Sequence, residues 1–156
     1  MVEMKKSFSD LLVSDVYDLV IKEPSTVKTG SKIHQVFDEY LKNPGSRKVY
    51  VIDDEGKLLG AVTTETLLRL LGYRVGIREF AGFSLWKLMR DMLKEGVDGI
   101  FVKIPSVKAN DKLTKALQIM LDNHLNDLPV IDNEGKLIGE LNSLEIFNKG
   151  KELFVE

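Results

Sequence analysis

The sequence has no cysteine, which excludes a disulfide framework and any cysteine-ligated metal site. It also lacks net charge of consequence. Its 22 basic and 24 acidic residues are interspersed and leave a formal charge of -2, so no field gathers nucleic acid or anionic lipid. No apolar run approaches the roughly 20 residues that span a bilayer, and "MVEMKKSFSDLL" lacks the apolar core of a secretory signal. A cytoplasmic protein with no nucleic-acid and no membrane partner is therefore expected. Also missing are a Ser-His-Asp set, a phosphate-cradling Gly-x-x-x-x-Gly-Lys and a dinucleotide fingerprint, and His34 and His124 stand outside any metal-binding spacing. No catalytic constellation is present, so an enzyme is not expected and no obligatory cofactor or metal is implied.

What is present is a duplication. "VYVIDDEGKLLG" at 49–60 returns as "LPVIDNEGKLIG" at 128–139, with eight of twelve positions identical at an offset of 79. Each copy runs apolar through a strand, breaks at Asp-Glu-Gly or Asn-Glu-Gly, and resumes an apolar strand, which is the pattern of a β-hairpin. The acidic residues of the two breaks favour turn geometry and are read as turns, not as a cation site.

Upstream, Ile33, Val36, Phe37, Tyr40 and Leu41 fall at helical spacing, as do Leu113, Ala116, Leu117, Met120 and Leu121 at an offset of 80. One extra residue therefore lies between helix and hairpin in the first copy, around Asn43 to Ser46. Downstream, "TTETLLRLL" and "NSLEIFNKG" open with good N-cap residues and read as closing helices. Short extended entries, "PSTVKTGS" and "IPSVKAND", precede the first helix of each copy. The unit is β-α-β-β-α, written twice. The expected fold class is α+β, with the two repeats packed sheet to sheet about a pseudo-twofold axis to share one core. The expected division is an N-terminal extension over 1–12, repeat 1 over 13–71, an aromatic linker and connecting helix over 72–95, repeat 2 over 96–150, and a tail over 151–156.

Across roughly Val13 to Gly150 these residues resemble the CBS domain, a family that normally occurs as a tandem pair called a Bateman module. The likeness rests on "PVIDNEGKLIG" with the following "ELNSLEI", on the entries "STV" and "PSV", and on two copies in order. It implies a non-catalytic regulatory or sensor module that binds an adenine nucleotide (AMP, ADP or ATP) or an adenosyl ligand between repeats, commonly as a homodimer, and signals to a partner not identified by sequence. The strand-to-helix corners after Gly60 and Gly139 give a physical reason, since free N–H groups at a helix start favour anions.

Carried over position by position, the resemblance implies two unequal sites. Site A joins Ser25, Thr26, Val27, Arg47, Lys48 and Tyr50 to Asn142 and Glu145, with two cations for phosphates and one carboxylate for a ribose. Site B, the weaker, joins Pro105, Ser106, Val107, Asn126, Asp127 and Leu128 to Thr63 and Thr66, where Asp127 repels phosphate. The family's usual aspartate at the corner is replaced by Thr66 in the first copy, which has no carboxylate, and by Glu145 in the second, which keeps the charge on a longer arm. Asn142-x-x-Glu145 is equally the spacing of a capping box, in which Glu145 binds its own helix start. Arg47 and Lys48 equally suit a solvated hairpin start. These departures keep open a second reading, a ligand-free CBS-like dimeric interaction scaffold. Tyr73, Phe80, Phe83 and Trp86, set among glycines, either anchor an interface or pack the linker onto the core. After them, Leu85, Leu88, Met89, Met92 and Leu93 predict an amphipathic helix that stops before Gly96.

Overall fold

Both hairpins turn on the same local chemistry. Asp53 Oδ1 accepts the N–H groups of Glu55 and Lys57, each at 2.9 Å, and Asp132 Oδ1 accepts those of Glu134 and Lys136 at 2.9 Å. The side chain thus occupies the donors of the tight turn, and the left-handed position falls to Gly56 (φ 85°) and Gly135 (φ 84°), where no Cβ opposes it. The computed structural model describes residues 7–17, 23–44, 47–77 and 85–154, and of these the side chains at 73–77, 85, 86, 88, 153 and 154 are not described. The aromatic side chains expected to anchor the linker, Tyr73, Phe80, Phe83 and Trp86, therefore lie outside the described residues, as do positions 45–46 of the expected insertion.

The first repeat contains β1 (Thr26–Lys28), α1 (Ile33–Lys42), β2 (Lys48–Ile52), β3 (Leu58–Thr63) and α2 (Thr64–Ile77), followed by α3 (Leu85–Leu93). The second contains β4 (Val107–Lys108), α4 (Leu113–Asn123), β5 (Asp127–Ile131), β6 (Leu137–Asn142) and α5 (Ser143–Phe154). The order is β-α-β-β-α in both, as expected. Each repeat forms a three-stranded sheet, β1-β2-β3 or β4-β5-β6, with the first pair parallel and the second antiparallel. Both hairpins carry a register shift at equivalent places, Val51/Ile52 and Val130/Ile131.

Alternation along the strands assigns their faces. Val27, Val49, Val51 and Val62 meet Ile33, Val36, Leu67, Met92 and Val97 in one core, while Val107, Leu128, Val130 and Leu141 meet Leu113, Ala116, Met120 and Ile146 in another. α2 runs on through Gly72 to Ile77, six residues beyond the expected end of the repeat at 71. A glycine inside a helix costs about 1 kcal/mol, and Leu70 and Leu71 just before it are partly buried against the core.

The chain divides into two compact units, Ser25–Ile104 and a discontinuous one made of Met1–Pro24 with Pro105–Glu156. Each unit carries an equivalent backbone strap. In the contiguous unit, Ile33 N–H donates to Glu95 O and Val97 N–H to Ser31 O, both at 2.9 Å. In the other, Leu113 N–H donates to Leu11 O and Val13 N–H to Asp111 O, again at 2.9 Å. Residues 95–102 and 11–17 are thus a further duplicated element, and each strap completes a unit through main-chain bonds. Among the described residues no helix is long and apolar enough to cross a membrane.

Asp111 closes the second entry turn. Partial burial of its carboxyl favours the neutral form, but the Lys108 N–H at 2.8 Å and the Lys115 ammonium at 3.0 Å outweigh it and hold the pKa below the ordinary 3.8. A depressed folded-state pKa stabilises above the unfolded value and is lost as pH falls through the folded value. Replacing Asp111 by Asn keeps the acceptor and removes the charge. The melting-temperature deficit of that variant is expected to be present at pH 7, to shrink below about pH 4 and to vanish in stronger acid. A deficit independent of pH would show that the charge contributes nothing.

Candidate functional site

On the sheet face opposite each unit's helices, the two repeats differ in chemistry. In the first, Thr26, Lys48, Tyr50, Ala61 and Thr63 take this face, because Val27, Val49, Val51 and Val62 take the other. In the second, Asp127, Pro129, Glu140 and Asn142 take it. Equivalent positions thus pair Lys48 with Asp127 and Ala61 with Glu140. Ser25, Lys48, Asp127, Glu140 and Glu145 are the buried polar or charged residues among those described, and Tyr50 is fully buried. Burying a charge is expensive unless it is paired and hydrogen-bonded, so these groups mark a candidate site in each unit, Ser25 and Lys48 in one and Asp127, Glu140 and Glu145 in the other.

Within the Ser25–Ile104 unit, the strand starts and the strand-to-helix corner converge. Thr26 is in register with Tyr50, whose N–H donates to Ser25 O at 2.9 Å, and Lys48 is in register with Thr63. Thr63 caps α2, its Oγ1 accepting the Thr66 N–H at 3.1 Å and lying 3.0 Å from Thr66 Oγ1. Ser25, Thr26, Lys48, Tyr50, Thr63 and Thr66 are thereby gathered at one end of one sheet.

The other unit gathers its counterparts. Asp127 is in register with Asn142, and Asn126 O accepts the Ser143 N–H at 2.8 Å. Asn142 Oδ1 accepts the Leu144 N–H at 2.8 Å while Glu145 Oε1 accepts the Asn142 N–H at 2.9 Å, which is a capping box. Pro105 and Ser106 are half-buried before Val107. The Glu145 carboxylate is fully enclosed and already receives a backbone donor.

Not every expected site residue presents its side chain here. Val27, Val107 and Leu128 belong to the apolar cores, which leaves only their backbone for a ligand. Arg47 and Lys48, expected as a pair of cations, part company. Lys48 is 6% exposed on the face away from the helices, whereas Arg47 is exposed and lines a cavity with Tyr40, Thr64 and Leu67 of α1 and α2. Arg47 stands in a bend just before β2 begins at Lys48, so adjacency in sequence does not make a phosphate clamp. Glu140, fully buried at the position where the first repeat has Ala61, escapes the sequence reading, and aligning the copies residue by residue would have flagged it.

The CBS-domain family model matches residues 13–73 and 102–151. The chain belongs to the CBS-domain family. A CBS-domain-containing protein of Thermotoga maritima has a crystal structure similar to this chain at a TM-score of 0.70 and 30% identity, over 91% of this chain and 95% of that one. CBSX2 in complex with AMP is similar at a TM-score of 0.69 and 23% identity, over 91% and 97% of the two chains. The CBS domain pair of MJ0100, in complex with 5'-methylthioadenosine and S-adenosyl-L-methionine, matches at 0.68 and 17%, over 92% and 98%. The last two likenesses speak to the fold of the CBS pair alone. An uncharacterized protein of Methanocaldococcus jannaschii, MJ1225, is 25% identical over 138 residues, and the chain spans 83% of its own length but only 44% of that relative.

Proposed function

We propose that this chain is a non-catalytic regulatory module that binds an adenine nucleotide or adenosyl ligand and passes its occupancy to a partner, acting as a homodimer. The observation that carries the reading is that both units of a CBS pair bury polar side chains, Ser25 and Lys48 in one and Asp127, Glu140 and Glu145 in the other. Structural relatives hold AMP, 5'-methylthioadenosine or S-adenosyl-L-methionine, which supports the ligand class. Lys48 is the cation proposed to meet a phosphate, Ser25 and Thr26 supply hydroxyls, and Asn142 with Glu145 is the proposed ribose corner. The site built on Asp127 and Thr66 is the poorer of the two for a phosphorylated ligand.

The test is thermal unfolding against AMP, ADP, ATP, a guanine nucleotide and S-adenosylmethionine. A ligand at a hundred times its dissociation constant adds about 2.7 kcal/mol, a shift of several degrees at this chain length. Lys48→Ala is expected to weaken a phosphorylated ligand about tenfold or more while Lys48→Arg restores most of it and adenosine is little affected. Arg47→Ala is expected to leave the same affinity unchanged. The capping role of Glu145 and the missing carboxylate at Thr66 favour the alternative, a ligand-free interaction scaffold. Ligand-free protein showing no shift with any of the five compounds would decide for that scaffold.

A further inference from the structure

The cavity that takes Arg47 lies wholly within the Ser25–Ile104 unit and is bounded by α1, α2 and α3. Its volume of about 690 Å³ falls in the usual range of small-molecule pockets, about 300–1,000 Å³. Its walls come from Phe37, Leu67, Leu68, Leu71, Met89 and Met92. Arg47 alone carries charge among the described lining residues, and no salt bridge among the described residues occupies its guanidinium. Thr64 also lines the cavity and is the first residue of α2, so the positive end of a 14-residue helix stands on the same wall as the cation.

Polar chemistry elsewhere in the cavity is already used. The Tyr40 hydroxyl donates toward Val62 O at 2.8 Å and Arg47 O at 3.1 Å, which ties the Arg47 backbone to the hairpin. The remaining wall offers leucine, phenylalanine and the flexible thioethers of Met89 and Met92, which adapt to an unbranched chain more readily than to a flat polar ring. We propose that this cavity binds an aliphatic monocarboxylate, with its carboxylate at Arg47 and Thr64 and its chain along Leu67, Leu71, Met89 and Met92. The site is separate from the proposed nucleotide site, since Lys48 takes the other sheet face. The second repeat provides an internal contrast: Arg47 is replaced by Asn126 and Leu71 by Gly150, which removes the cation and part of the wall.

Decanoate is the probe, with decanol as its neutral counterpart, and methyl-labelled methionine NMR is the readout. Decanoate is expected to move the Met89 and Met92 methyl signals saturably while Met120, in the core of the other unit, stays still. Arg47→Gln, a change at an exposed side chain, is expected to weaken decanoate about tenfold or more and to leave decanol unaffected, because a charge-assisted bond is lost. Three results would overturn the proposal. They are the absence of saturable movement at Met89 and Met92, equal decanoate affinity in Arg47→Gln, and signals that shift with protein concentration alone and then ignore decanoate, which would assign the cavity to a second copy of the chain.

Discussion

Replacing Gly60 by alanine is expected to destabilise the protein by about 3 kcal/mol and to lower its melting temperature by roughly 6–12 °C. Gly60 lies in β3 where the strap 95–102 docks: Ala61 N–H donates to Val102 O at 2.9 Å and Val102 N–H to Ala61 O at 3.0 Å. A Cβ at Gly60 would collide with the Val102 carbonyl oxygen and stand 2.6 Å from the Phe101 ring. A carbonyl held by a reciprocal pair of backbone bonds cannot rotate aside, so the strap must lift and lose both. Gly139 is the matching position in the other repeat, yet a Cβ there meets only the edge of the Tyr17 ring at 2.7 Å. A side chain can swing away, so Gly139→Ala is expected to cost about 1 kcal/mol. Chemical denaturation of the two variants reads the difference directly. Equal losses would mean that the straps yield alike and that the reciprocal bond at Val102 adds no rigidity.

Glu145→Ala should cost about 3 kcal/mol, with three separable origins. The Asn142 N–H loses its acceptor inside the protein, the cap of α5 is weakened, and the space of a fully buried side chain is left empty. Glu145→Gln keeps the oxygen that accepts the N–H and fills the same volume, so it is expected to recover most of the loss. Thr66→Ala, at the equivalent place in α2, leaves the Thr66 N–H still donating to Thr63 Oγ1 and should cost less than about 1 kcal/mol. If Glu145→Ala unfolds within about 0.5 kcal/mol of the parent, the capping box contributes little and the burial of Glu145 serves the ligand alone.

Where chemistry is local, the sequence could be read. Asp53 and Asp132 each organise a turn from within four residues, and α1 and α4 announce their buried faces by spacing, so the repeated β-α-β-β-α order was legible. The Asn142-x-x-Glu145 spacing also disclosed its capping box. The straps were not legible in this way, because backbone N–H and C=O groups make their bonds and only Val13 with Val97, Val16 with Ile100 and Tyr17 with Phe101 echo each other. The end of the first repeat was expected at 71, whereas α2 continues to Ile77. Arg47 and Lys48 looked like one cationic feature, but Lys48 is buried in β2 while Arg47 stands before the strand, exposed beside α1 and α2. Glu140 carried no motif, and only its contrast with Ala61 betrays it.

The discontinuous unit imposes an order on events during synthesis. Ser25–Ile104 contains its own strap and can close as soon as it has left the ribosome. Tyr17 emerges early yet packs on Gly139, so it waits roughly 6–25 s at ordinary translation rates for its partner to be made. The entropy of closing so long a loop grows only logarithmically, and folding of the intervening unit shortens the span further. The nascent chain is therefore expected to carry one finished half and one unsatisfied N-terminal strap until the second repeat has been translated.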